Sequence, residues 1–206
     1  MLIDAHAHLD MYEDAIEPVL AEIAERSILT LSNSLDLPSY EKNLAIAERS
    51  EFVVALFGVH PWMAPQNVDG LEGLIGAIDT TPMVGEIGLD HRFVDDESQY
   101  PAQREVLEFL LAAAKERDKS VNIHTAGAEE EVLNLLDEHE MDRVIVHWYS
   151  GSMDAFHALA ERGAYFTMNF SVAHSDHLRA LAAAVPADRL LTETDNPGGP
   201  KWLLGR

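Results

Sequence analysis

Short apolar runs rich in β-branched residues alternate along this chain with stretches of helical apolar spacing, and this alternation restricts the possible folds most. Repeated strand–helix units are typical of a parallel sheet whose strands are joined by crossover helices. Seven connections between the runs are long enough for such crossovers. The eight predicted strands cover residues 2–5, 27–32, 52–57, 83–88, 120–124, 143–147, 164–169 and 189–193.

Helical spacing is clearest at residues 105–117, 128–138, 153–162 and 176–184. Eight parallel strands with crossovers predict an α/β fold, a TIM-like (β/α)8 barrel, although such barrels typically run to about 250 residues. The chain has 206 residues and is 47% hydrophobic, so we interpret 1–206 as a single domain. We interpret residues 61–70 as a loop.

The end of the chain departs from a complete barrel. After the eighth strand only residues 194–206 remain, and no closing amphipathic helix is recognisable there. Leu190 and Leu191 point to opposite faces of that strand, so one of them lies on the outer face. Because no helix follows to cover this face, the outer face of strands one and eight is predicted to be uncovered. Because Trp202-Leu203-Leu204 resembles the start of a new element, we expect either a chain truncated at its C-terminus, lacking the final helix, or self-association that covers the strip.

The net charge of −22 argues against a broad basic surface that follows a phosphate backbone. It leaves a phosphodiester substrate possible, because bound cations can make a local pocket positive. The absence of cysteine means that any metal must be held by nitrogen and oxygen ligands. No secretory leader and no apolar run of membrane-spanning length is present, so we expect a cytoplasmic protein without a membrane partner.

The first strand carries Asp4, His6 and His8 on one face, since side chains alternate along a strand. Two imidazoles that point together into the mouth of a barrel have the arrangement of metal ligands. An isolated His-x-His pair is as easily explained by chance, so this fragment alone leaves the question open.

Further polar side chains end other predicted strands, at the face where barrel enzymes build their active sites. One polar residue at the end of an apolar strand is usually a hydrogen-bonded structural residue. Six on one rim are better explained by bound metal, which satisfies buried polar groups together. The six candidates are His6, His8, Glu86 on strand four, His124 on strand five, His147 on strand six and Asp195 after strand eight.

These motifs, in this order and spacing, resemble the TatD family of metal-dependent deoxyribonucleases, which belong to the amidohydrolase-like barrels. The resemblance extends over nearly the whole chain. The matching motifs are Asp-Ala-His-Ala-His at 4–8, Gly-Val-His-Pro at 58–61, Gly-Glu-Ile-Gly-Leu-Asp at 85–90, Ile-His at 123–124, His-Trp-Tyr-Ser-Gly at 147–151 and Glu-Thr-Asp-Asn-Pro at 193–197.

The resemblance implies two divalent metal ions, which we expect to be zinc, magnesium or manganese. It implies that the first ion is held by His6, His8 and Asp195, and the second by His124 and His147. Glu86 would bridge the two ions and support catalysis. Asp195 is the best candidate for the general base, and Asp4 is predicted to orient a ligating histidine from behind.

Two features set this chain apart within the resemblance. Many family members carry an arginine shortly after the strand-five histidine, where this chain has residues 125–127, and many have Cys-Phe in place of Trp148-Tyr149. We therefore expect a divergent subgroup with a differently shaped pocket. Related barrels that bridge their metals with a carboxylated lysine are disfavoured, because no lysine lies between Lys42 and Lys115.

His60 and Arg92 are the candidate substrate contacts. His60 ends strand three on the same rim, where it either faces the substrate or has a structural role, and the resemblance favours the first. The guanidinium of Arg92 can bind phosphate oxygens in bidentate fashion, unless it pairs with Asp95 or Asp96. The resemblance implies cleavage of phosphodiester bonds, with DNA as the substrate. Two alternatives stay open: hydrolysis of esters or amides, as in an aminoacyl-nucleic-acid deacylase, and a non-catalytic metal-binding protein.

Overall fold

The computed structural model describes residues 1–199. All eight predicted strands are confirmed, and their ends differ from the prediction by no more than two residues. The expectation of a further element rested on residues 202–204, which lie outside the described residues. The strands are β1 (Leu2–Ala7), β2 (Ile28–Asn33), β3 (Val53–Leu56), β4 (Met83–Gly88), β5 (Ser120–His124), β6 (Val144–Val146), β7 (Tyr165–Met168) and β8 (Leu190–Thr192).

Helices separate the strands, and the four with the clearest spacing are confirmed. The prediction of a loop at 61–70 is wrong: short helical turns at Pro61–Met63 and Val68–Leu74 flank a short helix at Ala64–Asn67. Pro61 suits a helix start, because its missing N–H is not needed in the first turn. The helices are α1 (Ile16–Arg26), α2 (Leu37–Ala47), α3 (Ala64–Asn67), α4 (Ile75–Thr80), α5 (Tyr100–Glu116), α6 (Glu129–Glu138), α7 (Met153–Glu161) and α8 (Asp176–Ala184).

The strands are all parallel and follow one another around a barrel in chain order. Their ladders form a three-stranded sheet, β1-β2-β3, and a five-stranded sheet, β4-β5-β6-β7-β8. A single bridge between Phe57 and Val84 joins the two sheets on one side. On the other side the backbone N–H of Asp195 donates to the carbonyl of His6 at 2.9 Å. The predicted barrel is therefore confirmed, although continuous ladders do not close it.

The core lies between the strands and the surrounding helices, and one large cluster dominates it. Phe57, Ile87, Val121, Ile123 and Phe166 are completely buried. Because parallel strands in a barrel end at a common rim, the residues that follow these apolar runs are held at one end of the molecule.

Apolar side chains at the start of the first and the last strand are exposed, and the expectations of a truncated chain and of self-association stay predictions. Leu2 is 60% exposed and Leu190 is 40% exposed. Among residues 1–199, no helix combines the length and the apolar character needed to cross a bilayer.

Candidate metal centre

The structure brings all six predicted metal ligands together at the carboxyl rim. His6 lies in β1 and His8 follows it directly, Glu86 lies in β4, and Asp195 follows β8. Within the described residues, three overlapping groups place their ligand atoms within 4.8 Å of one another. These groups are His6 with Glu86 and His147, His6 with His8 and Asp195, and His60 with Glu86 and His124.

Glu86 stands at the middle of the centre, and its two carboxylate oxygens face different histidines. Oε2 lies 3.3 Å from Nε2 of His6 and 3.3 Å from Nε2 of His8. Oε1 lies 2.9 Å from Nδ1 of His124 and 3.3 Å from Nε2 of His147. This buried carboxylate therefore divides the four imidazoles into two pairs, which we call the β1 pair (His6 and His8) and the β5–β6 pair (His124 and His147).

The outer nitrogens of the β1 pair each face a neutral carbonyl oxygen. Nδ1 of His6 lies 3.2 Å from Oδ1 of Asn122, whose amide nitrogen donates to the carbonyl of Ala5 at 3.1 Å. Nδ1 of His8 lies 3.1 Å from the carbonyl of Asn33. A carbonyl only accepts, so in the neutral rings Nδ1 carries the hydrogen. The lone pair of each Nε2 is then directed at the shared centre.

Asp195 completes the group around the β1 pair. Its Oδ1 lies 3.4 Å from Nε2 of His8 and 3.8 Å from Nε2 of His6. Burial alone would raise the pKa of Asp195, but contact with His8 and the charges of nearby histidines lower it below its usual value. Burial would likewise lower the pKa of His8, but contacts with Asp195 and Glu86 raise it to about 10.

The outer nitrogens of the β5–β6 pair face carboxylates instead. Nδ1 of His147 lies 3.1 Å from Oε2 of Glu193, and Nε2 of His124 lies 3.2 Å from Oδ2 of Asp90. Burial alone would lower both histidine pKa values. The charge of Glu193, followed by that of Glu86, raises the pKa of His147 well above its usual range. Contacts with Asp90 and Glu86 raise that of His124.

His60 also reaches the centre, as its position on the rim predicted, but its geometry differs from that of the other four histidines. Its Nδ1 accepts a hydrogen bond from the backbone N–H of Trp62 at 3.2 Å. Burial lowers the pKa of His60, so the ring is neutral at pH 7. Because Nδ1 uses its lone pair, Nε2 carries the hydrogen, and this nitrogen lies 3.5 Å from Oε1 of Glu86. His60 is therefore placed as a hydrogen-bond donor.

Close backbone packing holds Glu86 at this position. A Cβ at Gly58, after β3, would lie 2.3 Å from the carbonyl oxygen of Glu86, so only glycine fits there. Burial alone would raise the pKa of Glu86, but the charges of His6 and His147 and the contact with His124 hold it well below its usual value. A carboxylate at the centre of imidazoles therefore stays ionised.

The predicted role of Asp4 needs correction. Its carboxylate accepts from the backbone N–H of Thr194 at 3.0 Å and from the Thr194 hydroxyl at 2.6 Å. It contacts His6 only through the backbone N–H, at 3.4 Å. Asn122 orients the His6 ring instead, while Asp4 fastens β1 to the segment that carries Asp195.

A cavity of about 1030 Å3 opens above the centre. Trp62, 50% exposed, and Phe93, 44% exposed, line it together with Trp148. Arg92 also lines the cavity, but the alternative pairing with Asp95 or Asp96 is wrong. Its guanidinium donates to the hydroxyl of Ser150 at 2.9 Å and lies 3.8 Å from Glu129.

The donor set fits divalent cations. The converging atoms are imidazole nitrogens and carboxylate oxygens, which suit zinc, manganese and related ions. Within residues 1–199, the buried Glu86 carboxylate forms ion pairs only with histidines, and neither lysine nor arginine neutralises it. The partners that sequence reasoning missed are Asn33, Asp90, Asn122 and Glu193; Asp90 and Glu193 lie inside the recognised motifs at 85–90 and 193–197, which was the available signal.

Known proteins of similar sequence are named as nucleases or metal-dependent hydrolases. The sequence profile described as TatD related DNase matches residues 3–201. The chain is 29% identical to YabD of Bacillus subtilis, named an uncharacterized metal-dependent hydrolase, over 96% of this chain and 80% of that protein. It is 27% identical to human TATDN3, named a deoxyribonuclease, over 97% of this chain and 80% of that protein.

Solved structures with a similar fold include a homologue of this family. The crystal structure of YjjV, a TatD homologue from Escherichia coli, superposes with a TM-score of 0.88 at 28% identity, covering 97% of this chain and 80% of that one. The phosphotriesterase homology protein of Escherichia coli, at 15% identity and a TM-score of 0.69, shares the barrel fold.

Proposed function

The chain belongs to the TatD-related DNase family of metal-dependent hydrolases, and from that premise we propose that it binds two divalent cations and hydrolyses phosphodiester bonds of DNA. The proposed ligands are His6, His8 and Asp195 for the first ion and His124 and His147 for the second. Glu86 is proposed to bridge the two. Zinc, magnesium and manganese all suit a set of imidazoles and carboxylates.

The observation that carries the proposal is the division of the Glu86 carboxylate. One oxygen faces the β1 pair and the other faces the β5–β6 pair, each at distances between 2.9 and 3.3 Å. A single carboxylate placed between two sets of imidazoles suits two neighbouring cations better than one. In such sites the ions polarise the scissile group and supply an activated water.

The chain's own groups have distinct tasks in this hydrolysis. Asp195 reaches the centre from the end of β8 and stays ionised, so it is the proposed acceptor of the proton from the attacking water. His60, a neutral donor through Nε2, is proposed to hydrogen-bond an oxygen of the substrate. Glu86 holds the two halves of the centre together.

The cavity supports a nucleotide substrate. Arg92 on its wall offers a guanidinium to phosphate, and the exposed face of Trp62 offers a surface on which a base can stack. Human TATDN3, which is named a deoxyribonuclease, is similar over nearly the whole chain. No broad basic surface follows from a net charge of −22, so we propose cleavage with little sequence preference.

A nuclease assay with metal added back tests the proposal. Metal-stripped protein should be inactive on single-stranded and duplex DNA, and zinc, manganese or magnesium should restore cleavage that a chelator abolishes. The variant Asp195→Asn should stay inactive with metal present. Intact DNA under all metal conditions would refute nuclease activity.

Hydrolysis of a carboxylic ester is the second candidate function, and one observation favours it. Asp95 and Asp96 also line the cavity, and such an acidic rim disfavours a polyanion while tolerating a neutral ester. The same assay should therefore include aminoacyl-nucleic-acid and simple acyl esters. Cleavage of these with intact DNA would favour the deacylase. Failure of every substrate despite bound metal would favour the non-catalytic alternative.

A further inference from the structure

Asp90 is a completely buried carboxylate that the proposed reaction does not use. It lies two residues beyond β4, and N–H groups surround it. Its Oδ1 accepts from the backbone N–H of Arg92 at 3.0 Å and from that of Phe93 at 2.8 Å. Its Oδ2 accepts from the indole N–H of Trp62 at 2.7 Å. These three donors fix the carboxylate in one orientation.

The remaining neighbour of Asp90 is the imidazole of His124. Oδ2 lies 3.2 Å from Nε2 of His124. Among residues 1–199, this buried nitrogen forms no aligned hydrogen bond, so the Asp90 carboxylate is its polar neighbour without completing one in this conformation. On the opposite side of the ring, Nδ1 lies 2.9 Å from Oε1 of Glu86. His124 thus stands between an outer and an inner carboxylate.

Glu193 has the same relation to His147. Its Oε1 accepts from the side-chain amide of Asn169 at 2.9 Å, and its Oε2 accepts from the hydroxyl of Thr167. Oε2 also lies 3.1 Å from Nδ1 of His147, whose Nε2 faces Glu86. An outer carboxylate, fixed by neutral donors, therefore stands behind each member of the β5–β6 pair.

The β1 pair differs in this respect, since neutral carbonyl oxygens stand behind both of its rings. The partner of His6 is the side chain of Asn122, and the partner of His8 is the backbone carbonyl of Asn33. A carboxylate holds an imidazole N–H more strongly than a carbonyl does and makes the opposite nitrogen a better donor to a metal. The two halves of the centre are thus built with different outer partners.

We propose that Asp90 and Glu193 are positioning residues for the second ion: each keeps a hydrogen on the outer nitrogen of its histidine, so that the inner nitrogen presents its lone pair to the ion. The inference rests on the proposed two-ion site. It assigns the two residues to the ion of the β5–β6 pair and leaves the ion of the β1 pair independent of them.

The variant Asp90→Asn reverses this arrangement. The single amide oxygen would accept from the backbone N–H groups of Arg92 and Phe93, which leaves the NH2 group facing the indole N–H of Trp62 and Nε2 of His124. Facing a donor, His124 would move its hydrogen to Nδ1, where the ion needs a lone pair. Loss of an outer partner of this kind typically lowers the affinity for the metal by about 10- to 100-fold.

The test measures each ion separately in the zinc-loaded protein. Zinc content and affinity are measured in solution, and anomalous scattering from crystals gives the occupancy at the β1 pair and at the β5–β6 pair. Asp90→Asn and Glu193→Gln should each lower the zinc affinity of the β5–β6 pair by about 10- to 100-fold. The matched control Asp176→Asn makes the same change at an exposed surface carboxylate beside Arg179, so it should keep both ions.

The outcomes separate the two proposals. A wild-type protein that binds no zinc at these residues refutes the two-ion site itself. A wild-type protein with two ions whose variants lose neither, or lose the ion at the β1 pair as readily, refutes the positioning role.

A second measurement covers the case in which a variant fails to fold. Nitrogen-15 NMR of the zinc-loaded wild-type protein reports which imidazole nitrogens carry hydrogen. The proposal requires hydrogen on Nε2 of His124 and on Nδ1 of His147. Hydrogen on the inner nitrogen of either ring would overturn it.

Discussion

The imidazole rings of His6 and His147 lie stacked, with their centroids 3.7 Å apart and their planes inclined by 14°. One ring comes from β1 and the other follows β6, so the stack joins the two halves of the centre. The nitrogen that each ring turns toward Glu86 lies 3.3 Å from a different oxygen of that carboxylate. Two ions bound here would be neighbours, and loss of the carboxylate between them should affect both.

Glu86→Gln should weaken the binding of both ions. An amide offers one oxygen and one NH2 group, so it cannot present an acceptor to both imidazole pairs. We expect each affinity to fall by at least the roughly 10- to 100-fold that loss of an outer partner costs. Zinc stoichiometry and competition with a chromophoric chelator measure this. Glu131→Gln, on the surface beside Arg104, is the matched control. Full retention of one ion would contradict a bridging role.

His60→Ala should impair turnover and spare metal binding. The ring is placed as a donor through Nε2, and a hydrogen bond to a charged group contributes about 1.5 to 3 kcal/mol, so kcat/KM should fall roughly 10- to 150-fold. His157→Ala, an exposed residue of α7, should behave like the wild type. A drop in bound zinc in the His60 variant would instead make His60 a ligand.

Arg92→Ala should discriminate between the two candidate reactions. If Arg92 binds a phosphate oxygen, kcat/KM for a phosphodiester should fall at least about 10-fold, while a neutral acyl ester should be cleaved as before. Arg26→Ala on α1, which pairs with Glu22 at the surface, is the control. Equal loss on both classes of substrate would place the effect of Arg92 in the structure of the cavity wall rather than in phosphate recognition.

Metal binding should release protons at pH 7. In the metal-free centre the pKa of His8 is raised to about 10, and those of His124 and His147 are raised as well, so these rings hold protons that ions must displace. Apparent affinity should therefore increase with pH. Calorimetry in buffers of different ionisation enthalpy counts the protons released. Binding without proton release would show that the rings are neutral beforehand.

The stability of the metal-free protein should depend on pH in the opposite direction. The pKa of His8 is higher in the folded than in the unfolded chain, so its contacts stabilise the fold fully below about pH 6.5, the usual histidine value. That contribution is lost as the pH rises through about 10. Urea unfolding between pH 6 and 10 should show decreasing stability for the metal-free form, with the zinc-loaded form as control. A flat profile of the metal-free protein would contradict the charged state of His8.

Gly58→Ala should destabilise the protein strongly. The added Cβ would lie 2.3 Å from the carbonyl oxygen and 2.6 Å from the nitrogen of Glu86, so β3 and β4 would have to separate locally. We expect a cost of about 3 kcal/mol or more, together with weakened metal binding. Gly76→Ala in α4 meets nothing within 4 Å and should stabilise by about 0.5 to 1 kcal/mol. Chemical unfolding of both variants decides; equal stabilities would refute the close approach.

The local sequence pattern was sufficient to predict the eight strands. It also predicted on which face, or at which end, of its strand each candidate ligand lies. His6 and His8 share a face because side chains alternate, and Glu86, His124, His147 and Asp195 lie at a common rim because parallel strands end together. The pattern failed at residues 61–70, where turns of three to seven residues at Pro61–Met63 and Val68–Leu74 are too short to show a helical period.

Sequence alone determined that imidazoles and carboxylates meet at one end of a barrel; only the tertiary structure decided which nitrogen of each ring faces inward. That choice depends on the outer partner, which sits far away in the chain: Asn122 is 116 residues from His6, and Glu193 is 46 residues from His147. Strand periodicity fixes the direction of a Cβ but not the rotation of a ring. The register of neighbouring strands places the acceptor behind the ring, and that acceptor selects the nitrogen that carries the hydrogen.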